Sequence, residues 1–187
     1  MIASLMTERM ILRQWIARDH DPFARLNADP RVMQYMPGAL SREESDALVD
    51  RIKEHFSKYD FGLWAAELRT TGVFIGFIGL SVPSFHAHFT PCVEIGWRLA
   101  AEHWGKGLAT EGALAVLHCA FESVGLTEVV SFTSTENRRS RRVMEKIGMK
   151  HDAADDFDHP RLPAGHPLRR HVLYRLGREA WRGESKT

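Results

Sequence analysis

"GWRLAAEHWGKGLATEGAL", residues 96–114, holds the transition on which the reading of the fold turns. An apolar run closes at Leu99 and Ala100, a polar turn sets Gly105 and Gly107 around Lys106, and a helical pattern follows. A strand that leads through a glycine turn into a helix is a place to hold an anion. The first N–H groups of the helix lack intrahelical partners, the helix dipole adds partial positive charge, and small residues let the backbone come close. Two common nucleotide loops do not fit. A P-loop needs Ser or Thr after Gly-Lys, where Gly107 stands. A dinucleotide fingerprint wants a third small residue where Thr110 stands, and it normally opens the first βαβ unit of a chain. A plain glycine turn without a ligand, and a nucleotide loop of another kind, stay open at this point.

Working upstream, "CVEIGWRLA" (92–100) reads as a strand. "FGLWAAEL" (61–68) and "VFIGFIGLSV" (73–82) read as two more, joined by a turn at Arg69–Gly72 short enough for a hairpin. "PSFHAHFTP" is a loop bounded by Pro83 and Pro91. Residues 8–16 alternate as a first strand, with Met10 and Leu12 on one side. Asp29 followed by Pro30 opens a helix as N-cap and first helical residue. "SREE" at 41–44 is a capping box, and Leu48, Ile52 and Phe56 behind it make residues 41–58 an amphipathic helix.

Downstream of the turn, residues 107–124 read as a helix with Leu114, Leu117, Phe121 and Val124 on one face and Gly125 as C-cap. "EVVSFTS" (128–134) is a strand, Asn137 opens a short helix to Ile147 closed by Gly148, and "PLRRHVLYRL" (167–176) is a last strand. "HDAADDFDHPRLPAGH" between them lacks periodicity and reads as an exposed loop. A meander followed by a βαβ unit in one continuous chain predicts a mixed sheet with helices on its faces, not a purely doubly wound fold.

The 187 residues suit one domain spanning 1–187 with a sizeable core. A net charge of +1 argues against a general nucleic-acid binder. Cys92 and Cys119 form no close-spaced pair, so neither a disulfide framework nor a zinc knuckle is expected and a reducing, cytoplasmic setting fits. "MIASLMTERMILRQW" has neither the basic start nor the long apolar run of a signal peptide or membrane span.

"VEIGWRLAAEHWGKGLATEGALAVLHCAFESVGLTEVV" and "STENRRSRRVMEKIGMK", with "LMTERMILRQW", "ADPRVMQYM" and "FIGFIGL" before them, resemble the RimJ/RimL-like branch of the GNAT N-acetyltransferases from about residue 5 to 152. The resemblance implies an α/β (α+β) fold: a mostly antiparallel central sheet with a splayed parallel pair, helices on both faces, and a bulge in the strand before the turn. It implies acetyl-CoA as cosubstrate with no metal, and an acceptor that is a primary amine, either a protein N-terminus or a small molecule. Transfer would be direct, in a ternary complex, by a monomer or homodimer. It places the CoA pyrophosphate on Trp104, Gly105, Lys106, Gly107, Leu108, Ala109 and Thr110, and the pantetheine arm along Trp97, Arg98 and Leu99 and at Asn137. Two positions depart from the family pattern: Trp104 replaces the usual Gln or Arg, and Met144 replaces the Tyr that commonly protonates the thiolate. In RimL-like members a Ser three residues after the Asn takes that place, here Ser140.

Acetyl transfer to an amine needs a neutral nucleophile, a stabilised oxyanion and a proton for the leaving thiolate. In "VEIGWRL" Val93, Ile95, Trp97 and Leu99 share one face, which puts Glu94 on the other with Gly96 and Arg98. Glu94 is therefore the candidate base and Ser140 the candidate acid. Against these stand ordinary readings: a Glu94–Arg98 ion pair, Trp97 as a core aromatic, Asn137 as only an N-cap, and Arg138, Arg139, Arg141 and Arg142 as a solvated face. His86 and His88, too close together for a zinc site, are loop residues that could touch substrate. A non-catalytic acyl-CoA-binding or sensor module is the alternative to an enzyme.

Overall fold

The computed structural model of the protein describes residues 2–181. Its elements run β1 (Ser4–Met6), β2 (Met10–Arg13), α1 (His20–Ala28), α2 (Pro30–Met33), α3 (Arg42–Tyr59), β3 (Leu63–Leu68), β4 (Phe74–Ser81), β5 (Glu94–Leu99), α4 (Leu108–His118), β6 (Glu128–Ser134), α5 (Arg138–Lys146), β7 (Lys150–His151), β8 (Phe157–Asp158) and β9 (Arg170–Gly177). The strands form one sheet in the order β1-β2-β3-β4-β5-β6-β9-β7, with β8 on β9. Every pairing is antiparallel except β5 with β6. This is the mixed sheet expected from the chain order, and it is mostly antiparallel as the family resemblance implies.

Local chemistry accounts for the helix starts. Ser41 Oγ accepts the Glu44 N–H at 3.2 Å while Glu44 Oε2 accepts the Ser41 N–H at 2.8 Å, so the capping box at α3 is complete. Asp29 caps α2 by accepting the Arg31 N–H at 2.9 Å, with Pro30 behind it. Asn137 caps α5 by accepting the Ser140 N–H. Gly125 closes the helical segment at φ 78°, and Leu126 N–H reaches back to the Ala120 carbonyl.

Helices cover both faces. Gly112 of α4 sits against Ile78 and Met10, where an added Cβ would lie 2.4 Å from Ile78 Cδ1. On the opposite face, Phe23 of α1 meets both Phe74 and Phe77. Those two phenylalanines lie three apart, which a regular strand would send to opposite faces. A bulge explains it: Glu67 and Ala66 of β3 pair with Phe74 and Gly76, so Ile75 is the extra residue. Gly76, at φ 134°, completes the kink in a place where any Cβ would strike the Arg98 carbonyl.

Several expectations are corrected. The bulge expected in β5 is instead in β4. The β4–β5 register runs unbroken from Ser81↔Glu94 to Gly76↔Leu99, because the kink is absorbed on the β3 side. The strand expected over 8–16 is shorter, Met10–Arg13, and a turn before it, in which Thr7 Oγ1 takes the Met10 N–H at 2.9 Å, leads back to an additional strand, β1, that was not expected. The long helix ends its regular part at His118. Its last turn widens, with Val124 N–H bonding the Cys119 carbonyl five residues back. Past that shift of phase Val124 is only partly buried, and Leu114 in the regular part is partly buried too, while Val116, Leu117 and Phe121 are fully buried. The stretch 151–166 is not simply exposed: Phe157 and Leu162 are buried in it, and it carries β8.

Candidate active site

The parallel strands β5 and β6 meet only briefly. Glu94 pairs with Val130, Val130 N–H bonds the Val93 carbonyl at 2.9 Å, and Ser131 Oγ bonds the Ile95 carbonyl at 2.9 Å. Past Ile95 no β6 residue is in register with β5, because β6 continues along β9 from Ser131↔Tyr174 to Ser134↔His171. The strands diverge and two cavities fill the gap. One, of about 300 Å³, runs from the glycine turn to α5. The other, of about 390 Å³, lies toward β8 and β9. They share Tyr35, Met36, Trp97, Arg98, Asn137 and Ser140 as a common wall.

The first cavity is built for an anion at its outer end. Gly105 and Gly107 have φ of 73° and 80°, conformations that favour glycine, and Gly105 has open space where a Cβ would stand. Trp104 N–H is used by the Ala101 carbonyl, but the N–H groups from Gly105 through Thr110 have no protein partner among the described residues. They lead into the N-terminus of α4, where an anion is favoured. Arg139, Arg142 and Lys146 line the same cavity, with the Arg139 guanidinium 4.0 Å from the Trp104 ring centre. Of the residues named from the sequence, Trp97, Arg98, Leu99, Trp104, Gly105, Gly107, Leu108, Ala109, Thr110, Asn137 and Ser140 line this cavity.

Lys106 does not line it. Its side chain is exposed, and the turn aims its carbonyl at Arg9 Nη1, 2.9 Å away. The cation that braces the turn is thus Arg9, which also pairs with Glu111 at 2.6 Å and stands 3.5 Å from the position of a Cβ on Gly107. Arg9 was not among the residues singled out from the sequence, and its partners lie 97 and 102 positions away. The arginine cluster also divides. Arg139 and Arg142 face the cavity, whereas Arg141 is tied to Tyr174 Oη and the Thr135 carbonyl.

The second cavity holds Glu94. Its Oε2 accepts from Ser81 Oγ at 3.3 Å, and burial pushes its pKa up to about 8 against the opposing pull of that bond. The ion pair with Arg98 is absent. Arg98 Nη1 donates to Asn27 Oδ1 at 2.7 Å and Nη2 to Met36 Sδ at 3.5 Å, with the guanidinium over the Phe77 ring. His86 and His88 are exposed and do not line the cavity. The histidines that do are His159 and His171, their ring centres 5.0 Å apart, both held neutral by burial, His159 down to about 4. Phe132, Leu162 and Leu168 complete an apolar wall. None of these wall residues was singled out from the sequence. The wall's one visible sign was the density of Phe and His in residues 85–89 and 157–171.

At the shared wall, Asn137 is an N-cap and more: Nδ2 donates to Thr133 Oγ1 at 2.9 Å, so both ends of its amide are oriented. Ser140 Oγ makes no hydrogen bond among the described residues and lines both cavities. Met144, where the family pattern has Tyr, is 1% exposed in the core and cannot serve either cavity. No group of three or more His, Cys, Asp or Glu suited to a metal occurs among the described residues, and no helix there is long and apolar enough to cross a membrane.

A turn with unpartnered amides at the splay of two parallel strands has a counterpart in sequence comparison: residues 9–150 match the acetyltransferase (GNAT) domain family. The chain belongs to the GNAT acetyltransferases. It is 32% identical over 176 residues to an FsC-acetyl coenzyme A-N(2)-transacetylase of Aspergillus fumigatus, covering 89% of this chain and 73% of that one. A GNAT-family acetyltransferase structure from Bacillus anthracis matches with TM-score 0.78 and 26% identity, covering 94% and 99% of the two chains. An acetyltransferase structure from Agrobacterium tumefaciens matches with TM-score 0.75 and 30% identity, covering 94% and 95%. The mixed sheet, mostly antiparallel with one parallel pair, is the architecture of these GNAT neighbours.

Proposed function

We propose that this GNAT protein transfers an acetyl group from acetyl-CoA to a primary amine, by direct attack with both substrates bound. The observation that carries the reading is the pair of cavities that adjoin through one wall at the strand splay. Unpartnered amides from Gly105 to Thr110 and the cations of Arg139, Arg142 and Lys146 suit the phosphates of CoA, and the groove past Trp97, Arg98 and Leu99 suits its arm. Bound acetyl-CoA would supply an activated acetyl carbonyl and a thiolate leaving group.

The chain's own groups do the rest. Glu94, near neutrality in its proton affinity, takes the proton of the incoming ammonium, directly or through a water. The new C–N bond would form as the C–S bond breaks, and the second proton of the attacking nitrogen would pass by way of the Ser140 hydroxyl to the departing thiolate. Asn137 fixes the start of α5 so that Ser140 stays on the shared wall. Holding both substrates at one junction supplies much of the acceleration. The protein is proposed to act as a single domain in the cytoplasm, as a monomer or homodimer, within the RimJ/RimL-like branch, with a protein N-terminus or small amine as acceptor.

Thermal shift with acetyl-CoA, CoA, ATP and NAD, followed by CoA release with an amine library, tests this. Stabilisation by the two CoA species alone, and acceptor-dependent CoA release, are expected. Stabilisation without release from any amine would leave a binding module. No stabilisation at saturating CoA would end the proposal.

A further inference from the structure

Arg98 carries a positive charge into the interior with no counter-ion. Among the described residues no carboxylate lies within 4.0 Å of it. The contrast with Arg13 is direct: that guanidinium is bound by Asp19 and Glu67 at 2.7 and 2.6 Å. Arg98 has only an amide oxygen, a thioether and a ring, and its Nε is cut off from water with no partner at all. Nε and Nη2 form one edge of the guanidinium fork, the edge that matches a carboxylate with two parallel bonds. Here that edge meets nothing stronger than Met36 Sδ, a weak acceptor on a flexible side chain that itself lines both cavities. A buried charge is costly unless paired. Burial lowers the Arg98 pKa to about 10, with no neighbouring carboxylate among the described residues to raise it.

Position adds the second half. Glu94, Gly96 and Arg98 alternate onto one face of β5 and all line the second cavity. Gly96 leaves the middle open, since a Cβ there would meet only Glu94 Oε1 at 3.9 Å. The floor of the cavity therefore presents a carboxylate, a gap and a guanidinium in line, and an apolar wall of Phe132, Leu162 and Leu168 stands in the same cavity.

We infer that the acceptor is a small amine that also bears a carboxylate, an amino acid or a close analogue, whose ammonium faces Glu94 and whose carboxylate displaces Met36 to take the Nε–Nη2 edge of Arg98. Asn27 holds Nη1 and so turns that edge toward the cavity; it is a positioning residue, itself fixed by Nδ2 donating to Ser45 Oγ at 2.9 Å. This rests on the acetyltransferase reading and narrows its acceptor class, away from protein N-termini, which have no carboxylate in reach.

The test compares kcat/KM for free amino acids with their carboxamides and with the matching decarboxylated amines, in the full-length protein with acetyl-CoA. Wild type should favour the free acids by about 10²-fold or more, as expected when the wrong substrate leaves a buried charged partner unpaired. Arg98→Gln should bring the ratio below about threefold, and Arg98→Lys should keep part of it. Asn27→Asp supplies an internal carboxylate to Arg98 with almost no change of shape, and it should also abolish the preference while acetyl-CoA affinity holds. That variant keeps the test alive if Arg98→Gln folds poorly. Equal rates for acids and carboxamides in wild type would overturn the inference while leaving the acetyltransferase reading intact. So would a preference that survives Asn27→Asp. Absence of acetyl-CoA binding, or of turnover with every amine, would bring down both.

Discussion

Replacing Glu94 with Gln tests the chemistry and the burial argument together. The substitution keeps the shape and the Ser81 contact and removes the ionisation. Burial holds the carboxyl at about 8 against an ordinary value of 4.5. At pH 7 about one Glu94 in ten is therefore ionised, one unit being a factor of ten. As a base it gives wild-type kcat/KM a limb that rises tenfold per unit up to about pH 8. Glu94→Gln should lower kcat/KM about 10²–10⁴-fold, the usual worth of a positioned base, and erase this limb, leaving only the acceptor's own titration. Stability should move the other way. The folded state keeps a proton that the unfolded chain has released, so wild-type stability is intact below about 4.5 and falls as pH rises toward about 8. The gap sets a ceiling of about 5 kcal/mol, and water in the cavity keeps the realised loss to a fraction of it. Each kcal/mol is worth about 2–4 °C in a chain of this size. Calorimetry should find variant and wild type alike at pH 4 and the variant higher-melting at pH 9. An unchanged pH–rate profile would refute the base, and equal melting at both pH values would refute the burial argument.

The other expectations concern the junction and its supports. Ser140→Ala should lower kcat about tenfold or more with the acetyl-CoA KM little changed, because its hydroxyl has no other partner; a loss under twofold in steady-state kinetics would count against the acid. Gly107→Ala forces φ 80° on a residue with a Cβ, at about 1–2 kcal/mol, and should weaken CoA binding in calorimetric titration along with the melting temperature. Arg9→Met removes the brace between Glu111 and the Lys106 carbonyl, and should raise the CoA dissociation constant although Arg9 does not line the cavity. Gly79→Ala places a Cβ 2.1 Å from the Gly62 carbonyl and should destabilise the β3–β4 hairpin by about 1–3 kcal/mol, read in denaturant melts.

What the sequence disclosed follows the range of the physics. Ser41 with Glu44, Asp29 with Pro30 and Gly125 act within a few residues, and each sits where its local rule puts it. The glycine turn could be read because its amides and its helix are contiguous. Glu94 and Ser140 could be named from strand alternation and family pattern, but not that they would open onto one junction, 46 positions apart in the chain. The misses around the site are mostly long-range. Arg9 reaches Lys106 and Glu111, Arg98 reaches Asn27 71 positions earlier, and His159 meets His171 across β8 and β9. No period in the sequence records such pairings. The bulge at Ile75 was hidden for a related reason: it shows only as a slip of register against β3. The stretch 151–166 looked like a loop because its few apolar residues, Phe157 and Leu162, are buried singly and not on a repeating face.

A crystal structure of the protein with bound acetyl-CoA tests the central claim most directly. The account predicts the pyrophosphate on the amides of Gly105 to Thr110, the arm along Trp97 to Leu99, and the thioester at the wall shared by the two cavities, within reach of Ser140 and facing Glu94. Acetyl-CoA lodged away from the β5–β6 splay, or a thioester turned from the cavity that holds Glu94, would contradict it.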